Sequence, residues 1–357
     1  MSSDDQIIAA LKTVKYPGFS RDIVSFGLVK GISLQDGVPT VELSVTSADP
    51  TVPRQIQADA EAAVRALPGL AQARVRVAVA EPVMLAGQAQ AQGVGAGTAT
   101  QNRIAGVKHI VAVGSGKGGV GKSTVAANLA LALQAEGYKV GLCDCDLYGP
   151  SIALMFGTTD APLATDDNRI VPVERYGLQL MSMGFLLEGD APAVLRGPMV
   201  TRYTQQFLRN VAWHDLDYLI LDLPPGTGDI QLTIVQTVAL SGAVIVTTPQ
   251  EVALIDARKA ASMFGKVNVR VLGILENMSY FLCPDNGKRY DIFGTGGGKR
   301  EAARLQVPFL GEIPIEMGVR EAGDAGDPIV RRAPDSVSSR AFREAARHLL
   351  QTVQPGG

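Results

Sequence analysis

The stretch that decides the fold is Gly114-Ser-Gly-Lys-Gly-Gly-Val-Gly-Lys-Ser-Thr124. Its part from Gly116 to Ser123 fits the pattern G-x-x-x-x-G-K-[ST], in which backbone N–H groups wrap a chain of phosphates. A short apolar run, residues 109–114, predicts a strand before the loop, and residues 123–136 have the apolar spacing of a helix. Strand, glycine loop and helix in this order place phosphates at a helix N-terminus, where free N–H groups and the helix dipole favour anions.

Two side chains at the end of the loop add chemistry to this backbone cradle. Lys122 can reach the β and γ oxygens of a nucleotide, and the Ser123 hydroxyl can hold Mg²⁺. A second lysine, Lys117, lies just inside the loop. The stretch therefore predicts a site for a nucleotide with its magnesium ion.

Length and composition limit the class of protein. The chain has 357 residues, a net charge of −2 and 46% hydrophobic residues, so we expect about two domains and no electrostatic attraction to nucleic acid or an anionic membrane. No apolar stretch approaches the ~20 residues that span a bilayer. The polar, acidic start and a total of three cysteines lead us to expect a reduced, cytoplasmic protein.

The sequence divides into three parts. Residues 1–80 predict a small α/β domain, and residues 81–106, rich in Ala, Gln and Gly, predict a flexible linker. Residues 107–357, which contain the glycine loop, predict a P-loop ATPase domain. There, apolar strands alternate with helices, one of them predicted over residues 198–213, which indicates a mostly parallel, doubly wound sheet. Ligands of such sheets bind at the carboxyl ends of the strands.

The predicted strand over residues 218–222 ends in a carboxylate and continues into Pro224-Pro-Gly-Thr-Gly-Asp229. Asp222, at a strand end beside a phosphate loop, is well placed to order the water shell of Mg²⁺. Gly226 can bring its N–H close to the γ-phosphate because it has no Cβ.

Another predicted strand ends in Leu142-Cys-Asp-Cys-Asp146. Side chains alternate along a strand, so Asp144 and Asp146 share one face. We expect Asp146 to orient the attacking water and Asp144 to support the magnesium site. Cys143 and Cys145 occupy the other face, where we expect them to pack as small hydrophobic residues and not to bind a metal.

Several strings of sequence carry a family resemblance. Lys117 in its loop resembles the deviant Walker A motif of the MinD/ParA/nitrogenase iron protein class. Together with five further strings it is similar to the Mrp/ApbC family of iron–sulfur cluster carrier ATPases, and the N-terminal part resembles the small domain that often precedes the ATPase in that family. The strings are Asp144-Cys-Asp-Leu-Tyr-Gly-Pro-Ser151, Gly189-Asp-Ala-Pro192, Arg196-Gly-Pro-Met199, Asp222-Leu-Pro-Pro-Gly-Thr-Gly-Asp229 and Glu276-Asn-Met-Ser279.

This resemblance implies an ATPase with slow, Mg²⁺-dependent hydrolysis coupled to a homodimer, in which Lys117 reaches the partner's phosphates. It implies that Asn277 recognises the adenine edge, and that clusters pass from a scaffold to apoprotein clients. The nucleotide-binding residues it implies are Gly116, Lys117, Gly118, Gly119, Val120, Gly121, Lys122, Ser123, Thr124, Gly226 and Asn277. Together with the positions of the residues described above, it gives catalytic roles to Lys117, Lys122 and Asp146, and magnesium roles to Ser123, Asp144 and Asp222.

The cluster site departs from the family pattern. Relatives usually have Cys-x-x-Cys after Asn-Met-Ser, so that a dimer supplies four thiolates to a shared, subunit-bridging cluster. Here Cys283 is followed by Pro-Asp-Asn286, so Asn286 replaces the second cysteine. A dimer then offers two thiolates, whereas a cluster is ordinarily held by four ligands. Cys283 is either a cluster ligand or a loop cysteine without that role.

Two alternative functions fit the same resemblance. One is a positioning ATPase of the ParA or MinD kind, which would act on DNA or a membrane. The other is a nucleotide-gated adaptor that assists cluster carriers without holding a cluster itself.

Overall fold

The structure is a computed structural model. It describes residues 3–17, 22–25, 28–35, 38–45, 51–67, 74–79, 103–158, 160–165, 167, 169–185 and 208–353. These residues form two compact units, one within residues 3–79 and the other within residues 103–353. The linker predicted over residues 81–106 lies almost entirely outside the described residues, as do the strings 189–192 and 196–199.

Both units contain helices and strands. The helices are α1 Ser3–Leu11, α2 Thr51–Arg65, α3 Lys122–Ala135, α4 Ile152–Met155, α5 Asp229–Thr237, α6 Glu251–Lys266, α7 Gly297–Leu305, α8 Met317–Asp324, α9 Ile329–Arg332 and α10 Val337–Thr352. The strands are β1 Val29–Gln35, β2 Val38–Val45, β3 Arg74–Val79, β4 Val107–Gly114, β5 Val140–Asp144, β6 Val173–Arg175, β7 Leu178–Ser182, β8 Leu216–Asp222, β9 Gly242–Thr247, β10 Val271–Glu276, β11 Phe281–Leu282, β12 Arg289–Tyr290 and β13 Phe309–Glu312.

The first unit is a small α/β domain, as predicted. Its described strands form a sheet in the order β1-β2-β3, with β1 antiparallel and β3 parallel to β2. Helix α2 buries Ile56, Ala60 and Val64, whose spacing of four residues gives the helix one apolar face. That face packs with the buried residues of α1 and β2 in a single core.

The second unit contains a sheet whose strands, among the described residues, follow the order β13-β10-β9-β4-β8-β5-β7-β6. All neighbouring strands are parallel except the edge pair β6–β7. Strands β4, β8 and β9 are almost continuously buried, which explains why their sequences are apolar runs without alternation. The predicted mostly parallel α/β fold is therefore confirmed.

The strand order reverses at β4. The chain moves from β4 to β5 in one direction, and from β8 through β9 and β10 to β13 in the other. Right-handed crossovers then place α3 on one face of the sheet and α5, α6 and α7 on the other. Helix α10 packs against α3 and β13. No helix within the described ranges is both long and apolar enough to cross a membrane.

One predicted helix is partly wrong. Of the helix predicted over residues 198–213, residues 198–207 lie outside the described residues, and residues 211–213 are not helical. Val211 instead forms a parallel β-bridge with Ile170, because the Ile170 N–H donates to the Asn210 carbonyl and the Ala212 N–H donates to the Ile170 carbonyl. This distant pairing has no signal in the local sequence.

Candidate functional site

The glycine loop connects β4 to α3 at the carboxyl edge of the sheet. Gly121, which precedes the first residue of α3, has a left-handed φ of 77°, a conformation that favours glycine. Gly116 is required for a different reason: a Cβ there would lie 1.9 Å from the backbone oxygen of Asp256 in α6. Helix α6 therefore fixes one side of the loop, and α3 begins on the other.

The loop lysine pairs with the carboxylate at the end of β8. Lys122 Nζ forms a buried ion pair with Asp222 Oδ1 and lies 3.1 Å from Ser123 Oγ. The second carboxylate oxygen, Asp222 Oδ2, is buried without a hydrogen-bond partner among the described residues. Oxygen donors of this kind suit Mg²⁺ or its bound water, so the residues fit the predicted magnesium site.

The two strand-end carboxylates influence each other. Burial raises the pKa of Asp222, against the smaller, lowering effect of the nearby Lys122 ammonium. Burial and the negative charge of Asp222 raise the pKa of Asp144 to about 7. A positive ion at this site would stabilise the charged form of both carboxylates.

Asp144 organises the segment that follows β5. Its Oδ2 accepts hydrogen bonds from the Ser151 N–H at 2.9 Å, the Ile152 N–H at 3.1 Å and the Ser182 hydroxyl at 3.1 Å. Its Oδ1 accepts from the Asp146 N–H at 3.1 Å. Both oxygens are thus engaged by protein donors, so any support of a magnesium ion by Asp144 acts through the shape of this segment.

Asp146 lies in that segment and is partly exposed. Its Oδ1 accepts hydrogen bonds from the N–H groups of Tyr148 and Gly149, each at 3.2 Å. These contacts fix the direction of the carboxylate at the carboxyl edge of the sheet, where the phosphate loop also lies.

The predicted phosphate donor Gly226 contacts the phosphate loop directly. Its N–H donates to the Ser115 carbonyl at 3.1 Å, and the Ser115 hydroxyl donates to the Lys117 carbonyl at 2.8 Å. Gly226 has a φ of 94°. These bonds join the segment after β8 to the loop. No described residue accepts a hydrogen bond from the partly buried Lys117 ammonium.

Asn277 also contacts the loop, which the sequence alone did not indicate. It follows β10, is buried, and donates from Nδ2 to the Val120 carbonyl at 2.9 Å. A Cβ at Gly121 would lie 2.3 Å from that same Nδ2. The two residues that meet, Asn277 and Val120, are 157 positions apart, so no local pattern could show the contact.

The cysteines occupy two environments. Cys143 and Cys145 are fully buried in the core, as predicted, with their sulfurs 3.9 Å apart. A hydrogen bond to Cys143 and burial raise the pKa of the Cys145 thiol, which keeps it protonated and unreactive. Cys283 is partly buried and follows β11.

Cys283 begins the turn that joins β11 to β12. Its N–H donates to the Lys288 carbonyl at 2.9 Å and its carbonyl accepts from the Gly287 N–H at 2.8 Å. Asn286 is exposed in the turn, and its Oδ1 accepts from the Lys288 N–H at 2.9 Å. Across the part of the chain that the structure describes, no group of three or more Cys, His, Asp or Glu side chains could hold a metal ion.

Comparison with known proteins agrees with this geometry. Residues 106–350 match the model of the NUBPL iron-transfer P-loop NTPase family, and residues 4–77 match an iron–sulfur cluster assembly protein family. An iron–sulfur cluster carrier protein of Deinococcus radiodurans is 46% identical over 351 residues, which cover 98% of this chain and 95% of the relative.

Solved structures show the same ATPase fold. A nucleotide-binding protein of Archaeoglobus fulgidus in complex with ADP is 41% identical, with a TM-score of 0.56 over 62% of this chain and 87% of that one. The cell division ATPase MinD of Pyrococcus furiosus, 24% identical with a TM-score of 0.53, covers 68% of this chain and 99% of its own length and shows the fold alone. The chain therefore belongs to the family of iron-transfer P-loop NTPases, the Mrp/ApbC-like family that its motifs predict.

Proposed function

We propose that this protein is an Mg²⁺-dependent ATPase that carries an iron–sulfur cluster and transfers it from a cluster scaffold to apoprotein clients. The observation that carries the proposal is the contact of Asn277 with Val120. It joins the phosphate loop to the strand end from which the chain continues to Cys283. The relative named as a cluster carrier matches almost the whole chain, which supports the same cargo.

Different residues of the chain would contact the phosphates, the magnesium ion and the adenine of ATP. The N–H groups of residues 116–124 surround the phosphates at the N-terminus of α3, and Lys122 exchanges Asp222 for phosphate oxygens. Mg²⁺ would be held by the Ser123 hydroxyl and, through water, by Asp222. When bound, Mg²⁺ neutralises charge that develops on the phosphates. Asn277 would recognise the adenine edge with its amide, which has both a donor and an acceptor.

Hydrolysis needs a positioned water. Asp146 is the proposed group, because neighbouring N–H groups fix its carboxylate and Asp144 fixes the surrounding segment. Gly226 would donate to the γ-phosphate once its bond to Ser115 is exchanged. This exchange requires the segment after β8, which contacts the loop, to move. Such a movement agrees with slow hydrolysis.

A homodimer is the proposed active form. The Lys117 ammonium has no acceptor among the described residues, and in a dimer it would reach the partner's phosphates. Large apolar side chains are exposed on elements beside the site, as expected of an interface. They include Tyr148 after Asp146, and Val252 and Ile255 on α6. ATP would close this dimer and hydrolysis would reopen it.

The cluster would bridge the two subunits through Cys283. One cysteine from each chain gives two thiolates, so we propose a weakly held cluster that is readily transferred. A cluster held by thiolates, and the absence of a disulfide among the described cysteines, fit the reducing conditions of the cytoplasm.

Anaerobic reconstitution tests the cluster. Iron and sulfide should bind to the wild-type dimer and be lost in Cys283→Ala. The matched control, Cys143→Ala, removes a buried thiol of the core and should keep the cluster. A wild-type dimer without labile iron and sulfide would overturn the carrier function.

A second candidate is the nucleotide-gated adaptor, favoured by Asn286 in place of a second cysteine. The first unit would then recruit a client while hydrolysis times its release. Deletion of residues 1–100 separates the candidates. If the protein is an adaptor, the shortened chain should no longer support client maturation. If it is a carrier, the shortened chain should still bind a cluster at Cys283.

A further inference from the structure

Glu276 accepts hydrogen bonds from both ends of the segment that contains Cys283. It is the last residue of β10 and is fully buried. Its Oε1 accepts a hydrogen bond from the Ser279 hydroxyl at 2.6 Å, and its Oε2 accepts from the N–H of Gly298 in the first turn of α7. Ser279 precedes and Gly298 follows residues 280–296, so one carboxylate holds both ends of this segment.

The segment itself is braced by its own side chains. The Arg289 guanidinium lies 4.0 Å from the centre of the Tyr280 ring and pairs with Asp291 at 2.7 Å. The Ile315 N–H donates to the Tyr280 carbonyl at 2.6 Å. The Arg289 contacts hold residues 280–296 together, whereas the bond from Ile315 ties Tyr280 to the chain after β13.

The residue next to Glu276 contacts the phosphate loop. Asn277 donates from Nδ2 to the Val120 carbonyl, and its backbone N–H donates to the Thr247 carbonyl at 2.8 Å. Two consecutive residues at one strand end therefore contact two different parts of the molecule. Asn277 contacts the loop, and Glu276 contacts both ends of the Cys283 segment.

We infer that Glu276 is a positioning residue that couples the phosphate loop to Cys283. The inference rests on the proposed nucleotide-dependent cluster function and adds a residue that touches neither nucleotide nor cluster. When nucleotide binding shifts the loop, Asn277 shifts the end of β10. The Glu276 carboxylate follows with both hydrogen bonds intact, since breaking either would leave buried polar atoms without a partner. The segment, and Cys283 with it, must move too.

The test measures how fast iodoacetamide alkylates Cys283 in the full chain, followed on its peptide by mass spectrometry. Rates are compared with and without Mg²⁺ and a non-hydrolysable ATP analogue. In the wild type, nucleotide should change the rate by about fivefold or more, the lower range of ordinary coupling between sites. Glu276→Met should bind the analogue but lose this change, because its side chain has no oxygen to accept from the Gly298 N–H and the Ser279 hydroxyl.

Two further variants distinguish a loss of coupling from a general loss of stability. Glu301, a buried acid in α7, pairs with Arg258 at 2.9 Å and makes no hydrogen bond to Glu276, so Glu301→Met should keep the full nucleotide effect. Ser279→Ala removes one of the two bonds to Glu276 and should give an intermediate effect. It also keeps the test decisive should Glu276→Met fail to fold.

Two outcomes would overturn the coupling. The first is a wild-type alkylation rate that does not change when the analogue is added, and the second is a full nucleotide effect in both Glu276→Met and Ser279→Ala. Iron and sulfide content is measured separately on the same wild-type protein. A chain that binds no cluster but still changes Cys283 alkylation with nucleotide would refute the carrier function and support the coupling.

Discussion

Lys122 and Asp222 form an ion pair beneath the phosphate loop, with 7% and 0% of their side-chain surfaces exposed. The lysine comes from the first turn of α3 and the carboxylate from the end of β8. In the proposed ATP complex, the phosphates would compete with Asp222 for the lysine. A released Asp222 would then be free to face the water shell of Mg²⁺, so one exchange would prepare both parts of the proposed site.

Lys122→Ala should abolish tight ATP binding and lower the free energy of unfolding by about 3–5 kcal/mol, because it leaves the Asp222 charge buried and unpaired. Isothermal titration with ATP and urea denaturation measure the two effects. The double variant Lys122→Met with Asp222→Leu should regain stability without regaining ATP affinity. A single variant as stable as the wild type would contradict the buried pair.

Lys117→Ala should retain most ATP affinity and slow hydrolysis by about 100-fold, the usual effect of removing one donor that acts on the transition state. The reason is that Lys117 is proposed to act on the partner's phosphates and not on those of its own loop. Equilibrium binding and steady-state phosphate release are measured side by side. An affinity loss equal to that of Lys122→Ala would argue against a role across the dimer.

Asp144 should make stability depend on pH. Its pKa rises from 3.8 to about 7 on folding, so the folded state holds a proton that the unfolded chain releases. This contribution is fully present below pH 3.8 and is lost as the pH rises through 7. It should lower the free energy of unfolding by up to about 4 kcal/mol across that range.

Urea denaturation of the wild type and Asp144→Asn at pH 5 and pH 7.5 measures this effect. Burial lowers the pKa of His109, which acts in the opposite direction in the same range, so the difference between the two proteins isolates Asp144. Identical pH dependence in both proteins would contradict the assignment.

Gly116→Ala should disturb the phosphate loop more than Gly119→Ala. A Cβ at Gly116 would overlap the backbone of Asp256, and overpacking of this kind costs about 1–3 kcal/mol and moves the loop. A Cβ at Gly119 meets nothing within 4 Å, so only its φ of 83° adds strain, about 1–2 kcal/mol. ATP affinity should fall mainly in Gly116→Ala. Equal affinity in the two variants would show that α6 does not position the loop.

Asn286→Cys should strengthen cluster binding. Asn286 is exposed in the same turn as Cys283, so a cysteine there completes four thiolates in a dimer. Iron and sulfide retained after gel filtration should increase, and transfer to an acceptor apoprotein should slow. Unchanged retention would show that the turn of each subunit does not face a shared cluster.

The sequence by itself determined those features whose physical cause is local. Glycines and a lysine at fixed spacing specify the phosphate loop, apolar runs specify buried parallel strands, and Asp222 is the last residue of its strand. Alternation at the end of β5 likewise places Cys143 and Asp144 on opposite faces, since successive side chains of a strand point to opposite faces.

Only the tertiary structure decided which of these residues meet. Lys122 and Asp222 are 100 positions apart, and Asn277 and Val120 are 157 apart. Asp144 receives four hydrogen bonds that its strand cannot predict, and the need for glycine at position 116 comes from a helix 140 positions later. Such contacts depend on the order in which strands assemble in the sheet, and this order is set by the packing of the whole domain and not by any short stretch of sequence.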